Sequence, residues 1–386
     1  MANANIEIRP FRIDIPQDSL DDLQDRLDRA RWTSEIPGPG DPADYGVTLA
    51  AVRELTGYWR TGYDWRVHEA RLNAYPQFVT EIDGQDIHFL HVKSPEPDAT
   101  PLILTHGWPG SFVEFENVIG PLTDPRNHGK DPGTAFDLVI PSLPGFAFSA
   151  PLATRGWSTR RTATAWAELM HRLGYGRYGA AGNDAGSMIS PELGRVDPYH
   201  VIAVHVTQVF SFPSGDPAEF ADMSAEDGAA MGKLQWFMQN KISFNQLHSQ
   251  QPQTLAHALA DSPVGLLGWN IQLMTADAMG DKQLDDDFIL TNTALYWFTN
   301  TGGSAIRFYY EDAHAANQQQ PTEPTTVPLG VAGFGGDFSG VRRFAERDHK
   351  NIIQWNMHPE PGGHYAAHLE PEVLADDIRA FYAAQR

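Results

Sequence analysis

Tyr178-Gly179-Ala180-Ala181-Gly182-Asn183-Asp184-Ala185-Gly186-Ser187 runs from an apolar-to-small strand signal into a helix-like stretch ending near Arg195. Its centre, Gly182-Asn183-Asp184-Ala185-Gly186, has the small-x-nucleophile-x-small spacing of a strained turn between a strand and a helix. Small residues are expected there because the backbone passes close to neighbouring elements. The tip carries a carboxylate where such turns usually carry serine. A serine at this tip makes acyl esters, whereas a carboxylate can displace a leaving group from saturated carbon and form an alkyl ester.

Outward from this turn, strand-like and helix-like segments alternate. Pro101 to Thr105 reads as a buried strand leading into His106-Gly107-Trp108-Pro109-Gly110-Ser111 and a helix to about Leu122. Phe136 to Ser142 is the next strand, Ser158 caps a helix to about Leu173, and Val201 to Val209 is again β-rich. This rhythm predicts an α/β protein with a mostly parallel sheet covered by helices on both faces. A hairpin, Phe78 to Ile82 and Ile87 to Val92, precedes it, and residues 1 to about 75 read as helical, with Ser19 as a cap for Leu20, Leu23 and Leu27. From Phe212 to about Gln320 the pattern is helical and aromatic, which predicts a cap inserted between strands. Strands resume at Val327 to Phe334 and Ile352 to Met357, and an amphipathic helix runs from Pro371 to about Ala384. The expected units are an N-terminal helical meander with first strands (1–95), a core (96–211), a helical cap (212–320) and the rest of the core (321–386). Gln318-Gln319-Gln320 reads as loop and Asp285-Asp286-Asp287 as solvated surface.

Composition narrows the function. The 386 residues carry 28 Lys plus Arg against 49 Asp plus Glu, a net charge of −21, which argues against nucleic acid or anionic membranes as partners. The absence of cysteine excludes disulfides, thiolate metal sites and a cysteine nucleophile. There is no secretory layout at the start and no run of ~18 to 20 apolar residues, so a cytoplasmic protein without a membrane span is expected. No phosphate loop, metal-binding His-Glu-x-x-His pattern or full dinucleotide fingerprint occurs, so neither cofactor nor metal is inferred. The sequence leaves the oligomeric state open, a homodimer included.

Partners for Asp184 are expected after the last strands. His364, in Gly362-Gly363-His364-Tyr365, follows strand Ile352 to Met357. Asp337, in Gly335-Gly336-Asp337-Phe338, follows strand Val327 to Phe334 and would orient the imidazole. Alternatively it caps a helix from Ser339, and Glu346, Asp348 and Glu360 compete for its role. The loop His106 to Gly110 lies where backbone amides serve an oxyanion. Pro109 has no N–H, leaving Trp108 and Ala185 as donors, with His106 as loop support.

Five motifs in this order resemble the microsomal-type epoxide hydrolases: His106-Gly107-Trp108-Pro109-Gly110-Ser111, the aspartate turn, Ser262-Pro263-Val264-Gly265-Leu266, Arg307-Phe308-Tyr309-Tyr310-Glu311 and Gly362-Gly363-His364-Tyr365-Ala366-Ala367. The resemblance covers nearly the whole chain. It implies an α/β-hydrolase fold with a helical cap and N-terminal meander, a small apolar or aromatic epoxide as substrate, and a vicinal diol as product. It further implies attack by Asp184 on the oxirane, hydrolysis of the resulting ester by water activated at His364 and Asp337, and cap tyrosines that hydrogen-bond the epoxide oxygen. Tyr309 matches one tyrosine, with Tyr310 as the competing register.

Departures from the family pattern are informative. Phe244 stands where the family has its second tyrosine, so one hydroxyl is missing, and His248 one turn later is a candidate to assist. Phe244, His248 and Trp108 are the expected substrate-contacting residues. Ala185 replaces a tryptophan that related haloalkane dehalogenases use to hold halide, which argues against dehalogenation. Epoxide hydrolysis is the leading expectation; the alternative is an epoxide-opening cyclase or isomerase acting on a specialised metabolite.

Overall fold

The computed structural model describes residues 7–274, 283–316, 323–338 and 340–385. The Gln318–Gln320 run and the start of the Ser339 helix reading lie outside these residues. Among the described residues nine strands form one sheet, in the order β1-β2-β3-β5-β4-β6-β7-β8-β9. The strands are β1 (Arg9–Phe11), β2 (Gln77–Ile82), β3 (Gln85–Val92), β4 (Thr100–Thr105), β5 (Phe136–Pro141), β6 (Tyr178–Gly182), β7 (Val201–Val206), β8 (Leu329–Phe334) and β9 (Ile352–His358). Pairings from β1 through β3 to β5 are antiparallel, and all others are parallel.

Strand alternation builds two cores. Leu102, Leu104, Leu138 and Ile140 belong to one apolar cluster, whereas Ile103 and Val139, between them in sequence, belong to the other. Both faces of the parallel strands are therefore buried, which is why these segments read as continuous apolar runs. Helix α4 (Glu116–Thr123) packs with the C-terminal helix, while α5 (Thr159–Arg172) packs with α6 (Ala185–Val196). Chain order reverses across β4, which pairs with β5 on one side and β6 on the other. Such a switch point opens a crevice at the carboxyl ends of the strands.

The N-terminal expectation needs correction. Three helices occur there, α1 (Gln17–Asp28), α2 (Leu49–Thr61) and α3 (Trp65–Leu72), but Arg9–Phe11 is an edge strand that pairs with Gln77–Val79. Ser19 lies inside α1, whose N-cap is Pro16. The hairpin turns on two residues, Asp83 and Gly84, both at positive φ (52° and 75°), a mirror-image turn that matches strand twist.

Between β7 and β8 the chain forms the cap: α7 (Ala225–Asn240), α8 (Ser243–Gln250), α9 (Pro252–Asp261), α10 (Pro263–Ile271), α11 (Asp286–Phe298) and α12 (Arg307–Ala316). The N-terminal helices hold it down: Tyr58 Oη donates to Asp287 at 2.7 Å and Arg26 bonds the Asp261 carbonyl at 2.7 Å. The Asp285–Asp287 run is thus not merely solvated, since Asp285 also caps α11 through Phe288 N–H at 2.8 Å.

The last strand is preceded by α13 (Arg342–Asp348) and followed by the C-terminal helix α14 (Pro371–Ala383). Asp377 on α14 accepts bonds from His205 (2.7 Å), His358 (2.8 Å), Gln354 and Asn356 (both 2.6 Å). Burial opposes its charge, but the donors, His205 foremost, outweigh burial and hold its pKa at about 2 against an ordinary 3.8. A carboxylate depressed in the folded state stabilises the fold above its ordinary pKa and loses that contribution as pH falls from about 4 to 2. Asp377→Asn should therefore cost about 2 kcal/mol or more at pH 7 by urea denaturation. The deficit should shrink as pH falls below 4; a deficit independent of pH would show that the charge is not what stabilises.

Candidate active site

Asp184 sits at the sharp turn from β6 into α6 with φ 51° and ψ −119°, a backbone conformation rare for a residue with a side chain. The flanking glycines are sterically required. A Cβ on Gly182 would come within 2.2 Å of the Gly186 backbone, and one on Gly186 within 1.8 Å of the Thr105 carbonyl oxygen. The small residues let β4, β6 and α6 converge, and the convergence lifts the carboxyl into the crevice.

Two backbone amides meet the carboxyl: Trp108 N–H donates to Oδ1 at 3.0 Å and Ala185 N–H provides a second bond. Oδ2 faces His364 Nε2 at 3.9 Å, and His364 Nδ1 lies 3.4 Å from Asp337 Oδ2. His364 and Asp337 are buried, and both stand on loops at the carboxyl ends of β9 and β8. The competing acids point elsewhere: Glu346 pairs with Arg342 at 3.0 Å, Asp348 with Arg347 at 2.7 Å, and Glu360 faces His358 at 4.0 Å. Nor does Asp337 cap a helix: its Oδ1 accepts from Phe338 N–H at 2.7 Å, and α13 starts later, after Val341.

The electrostatics bind the three groups together. Burial disfavours a charged His364, but Asp337, Asp184 and Glu114 outweigh it and raise the imidazolium to about 9. Burial likewise raises Asp184 above the ordinary carboxylate range, against the pull of His364 and the Trp108 and Ala185 amides. An imidazolium thus faces a poorly solvated carboxyl group.

A cavity of about 230 Å³ lies over Asp184, walled by Phe237, Phe244, Leu273, Phe308 and Phe338 and closed on the cap side by Tyr309. Tyr309 is the residue that faces it; Tyr310 is 38% exposed and stacks on His314. Burial and the nearby Asp184 push the Tyr309 phenol well above its ordinary pKa, so it carries its proton. Phe244 lines the cavity, its ring 6.0 Å from that of Tyr309.

Two expected contact residues lie behind the wall instead. The Trp108 ring is stacked on Phe244 at 5.3 Å and only its amide reaches the crevice. His248 is fully buried, accepts Trp269 Nε1–H at 3.0 Å, and is driven by burial to a pKa of about 3. It is a neutral packing group against Trp108 and Tyr309. His106, also buried, accepts Leu143 N–H at 3.2 Å and so braces its loop.

Residues that local pattern did not single out complete the arrangement. Gln208, just past β7, accepts Asp184 N–H at 2.9 Å, donates to Asp337 at 2.7 Å and lies 3.2 Å from His364 Nδ1. Asn183 donates to the His364 carbonyl at 2.9 Å and accepts from Thr207 at 2.8 Å. Their signal is position alone, as polar residues at the carboxyl ends of central strands.

Sheet order, turn and inserted cap define an α/β-hydrolase fold. Residues 100–256 match the model for that fold, and residues 8–115 match the model described as the epoxide hydrolase N terminus. A protein of Stigmatella aurantiaca is 39% identical over 98% of this chain and 86% of its own length. Epoxide hydrolase 1 of Sus scrofa is 31% identical over 97% of this chain and 88% of that protein. The epoxide hydrolase of Aspergillus niger superposes with a TM-score of 0.86 at 32% identity, covering 100% of this chain and 98% of the other. The chain belongs to the epoxide hydrolase family. No helix among the described residues is long and apolar enough to cross a membrane.

Proposed function

We propose that this protein hydrolyses a small apolar or aromatic epoxide to a vicinal diol through an ester on Asp184. The observation that carries the reading is one carboxylate with Oδ1 held at 3.0 Å by Trp108 N–H and Oδ2 turned to His364, under an apolar cavity roofed by a protonated tyrosine. Asp184 Oδ2 attacks an oxirane carbon and the C–O bond breaks. Tyr309 hydrogen-bonds the departing oxygen, and the His364 proton, relayed to it, neutralises the alkoxide. His364 is thereby left neutral, and the neighbouring charge that helped to keep it protonated disappears with ester formation.

The imidazole then takes a proton from water, whose oxygen attacks the ester carbonyl. The amides of Trp108 and Ala185 stabilise the oxyanion, each such donor contributing on the order of 3 kcal/mol. Collapse expels the diol oxygen, which takes the proton of the newly formed Asp184 carboxylic acid, leaving carboxylate and imidazolium as at the start. The relatives reported above are hydrolases, and nothing in the cavity favours the cyclase alternative.

The test is a single turnover of styrene oxide in ¹⁸O-labelled water followed by mass measurement of the Asp184 peptide. Label should enter the Asp184 side chain, and the first diol released should carry enzyme-derived oxygen. Diol formation with an unlabelled Asp184 would exclude the covalent route.

A further inference from the structure

One buried acid beside the site takes no part in the proposed reaction. Glu114 is 1% exposed, on the short turn Phe112–Phe115 that follows the His106–Ser111 loop. Among the described residues no lysine, arginine or histidine makes an ion pair with it. Its bond is a long one, Asn183 Nδ2 to Oε1 at 3.3 Å, and the same amide reaches the His364 carbonyl at 2.9 Å. Space is made for the other oxygen by Gly110, where a Cβ would stand 2.1 Å from Glu114 Oε2. Around it lie His364, Asp184, Tyr296 and Tyr365, whose charges and phenols all interact with it. Tyr296 is committed to the Gly110 carbonyl at 2.6 Å, and the buried Tyr365 hydroxyl has no hydrogen-bond partner among the described residues.

A carboxylate here would be a buried anion without an ion-pair partner, next to the Asp184 carboxyl and offset only by His364 and the long Asn183 bond, which is costly enough that such groups keep their proton. We propose that Glu114 is a positioning residue that works as a neutral acid, holding Asn183 so that the nucleophile turn and the His364 loop are locked in one register. The inference rests on the reading of Asp184 and His364 given above. Consistent with it, burial pushes the Glu114 carboxyl up to about 8, against weaker pulls from His364 and Asn183. Its ionisation at alkaline pH then adds an anion beside His364 and holds the imidazolium to higher pH.

Two measurements test this. In histidine-labelled protein, NMR titration of His364 should give superimposable curves for wild type and Glu114→Gln up to about pH 7. Above that, the apparent pKa of wild type should exceed that of the variant by half a unit or more. Curves that coincide throughout would overturn the proposal, because Glu114 would then be uncoupled from His364. At pH 7 and with styrene oxide, Glu114→Gln should stay within about threefold of wild-type kcat and Glu114→Ala should lose about tenfold or more. Equal losses in both would show that the negative charge, not the neutral shape, is required. These outcomes are separable from failure of the covalent route, which the ¹⁸O label on Asp184 in wild type reports by itself.

Discussion

Asp184→Ala should lower kcat for styrene oxide by about 10⁴-fold or more while leaving the thermal midpoint near or above that of wild type. The first half of the expectation follows from chemistry. Removing the atom that forms the covalent bond takes away the whole route, as deletion of other covalent nucleophiles does, and residual rates near 10³ to 10⁴ over water come from binding and oxyanion contacts alone. The second half follows from structure. Asp184 holds φ 51° with a side chain, and it buries a carboxylate whose charged form is disfavoured. Strain and desolvation of this kind destabilise a fold and persist at sites selected for reactivity. The Trp108 and Ala185 amides lose an acceptor, but the crevice admits water to replace it. Activity is measured as diol production and stability by thermal denaturation at pH 7. A variant that keeps more than about one per cent of wild-type kcat would show that the carboxylate is not the nucleophile; one that simply unfolds would show that the turn is held by its own carboxyl.

Much of this arrangement is legible in the sequence because each part has a local signature. Asp184, Asp337 and His364 each sit in a glycine-containing loop directly after an apolar run, and apolar runs separated by helical segments fix which loops share the sheet's carboxyl edge. Gln208, Asn183 and Glu114 escaped because their roles arise only where loops from five strands converge. A polar residue past a strand end, or a glutamate in a turn, has no periodicity to mark it. His248 misled for a geometric reason: four residues after Phe244 on α8, it shares that helix face, but one turn carries it past the cavity and onto Trp269. The edge strand Arg9–Phe11 is three residues with a central proline, so neither alternation nor β-branching announces it; it exists because β2 offers an unpaired edge. The cap's aromatic residues at helical spacing indicated a packed lid, and it was the fold that selected Phe237, Phe244 and Phe308 for the cavity wall.

Tyr309→Phe should cost about a hundredfold or more in kcat/KM, a larger loss than expected of a site with two phenols. In an apolar cavity the departing epoxide oxygen develops charge with no solvent to receive it, and each preorganised donor is worth on the order of 3 kcal/mol. Tyr309 carries the phenol that roofs this cavity, and the facing position is Phe244. The nearest imidazole in the cap cannot substitute, since His248 is neutral and engaged with Trp269. Because the phenol is held well above its ordinary pKa by burial, it stays protonated through the whole working range, and the loss should be independent of pH between 6 and 9. The reciprocal change sharpens the argument. Phe244→Tyr would set a second hydroxyl on a ring whose centroid lies 6.0 Å from that of Tyr309, so it should raise the rate of ring opening in an otherwise unchanged protein and restore part of the activity of Tyr309→Phe. Rates of ester formation from single-turnover experiments with styrene oxide measure both effects. If Tyr309→Phe retains more than about a third of wild-type activity, the oxygen is received by some other donor, and the missing phenol at position 244 carries no consequence for catalysis.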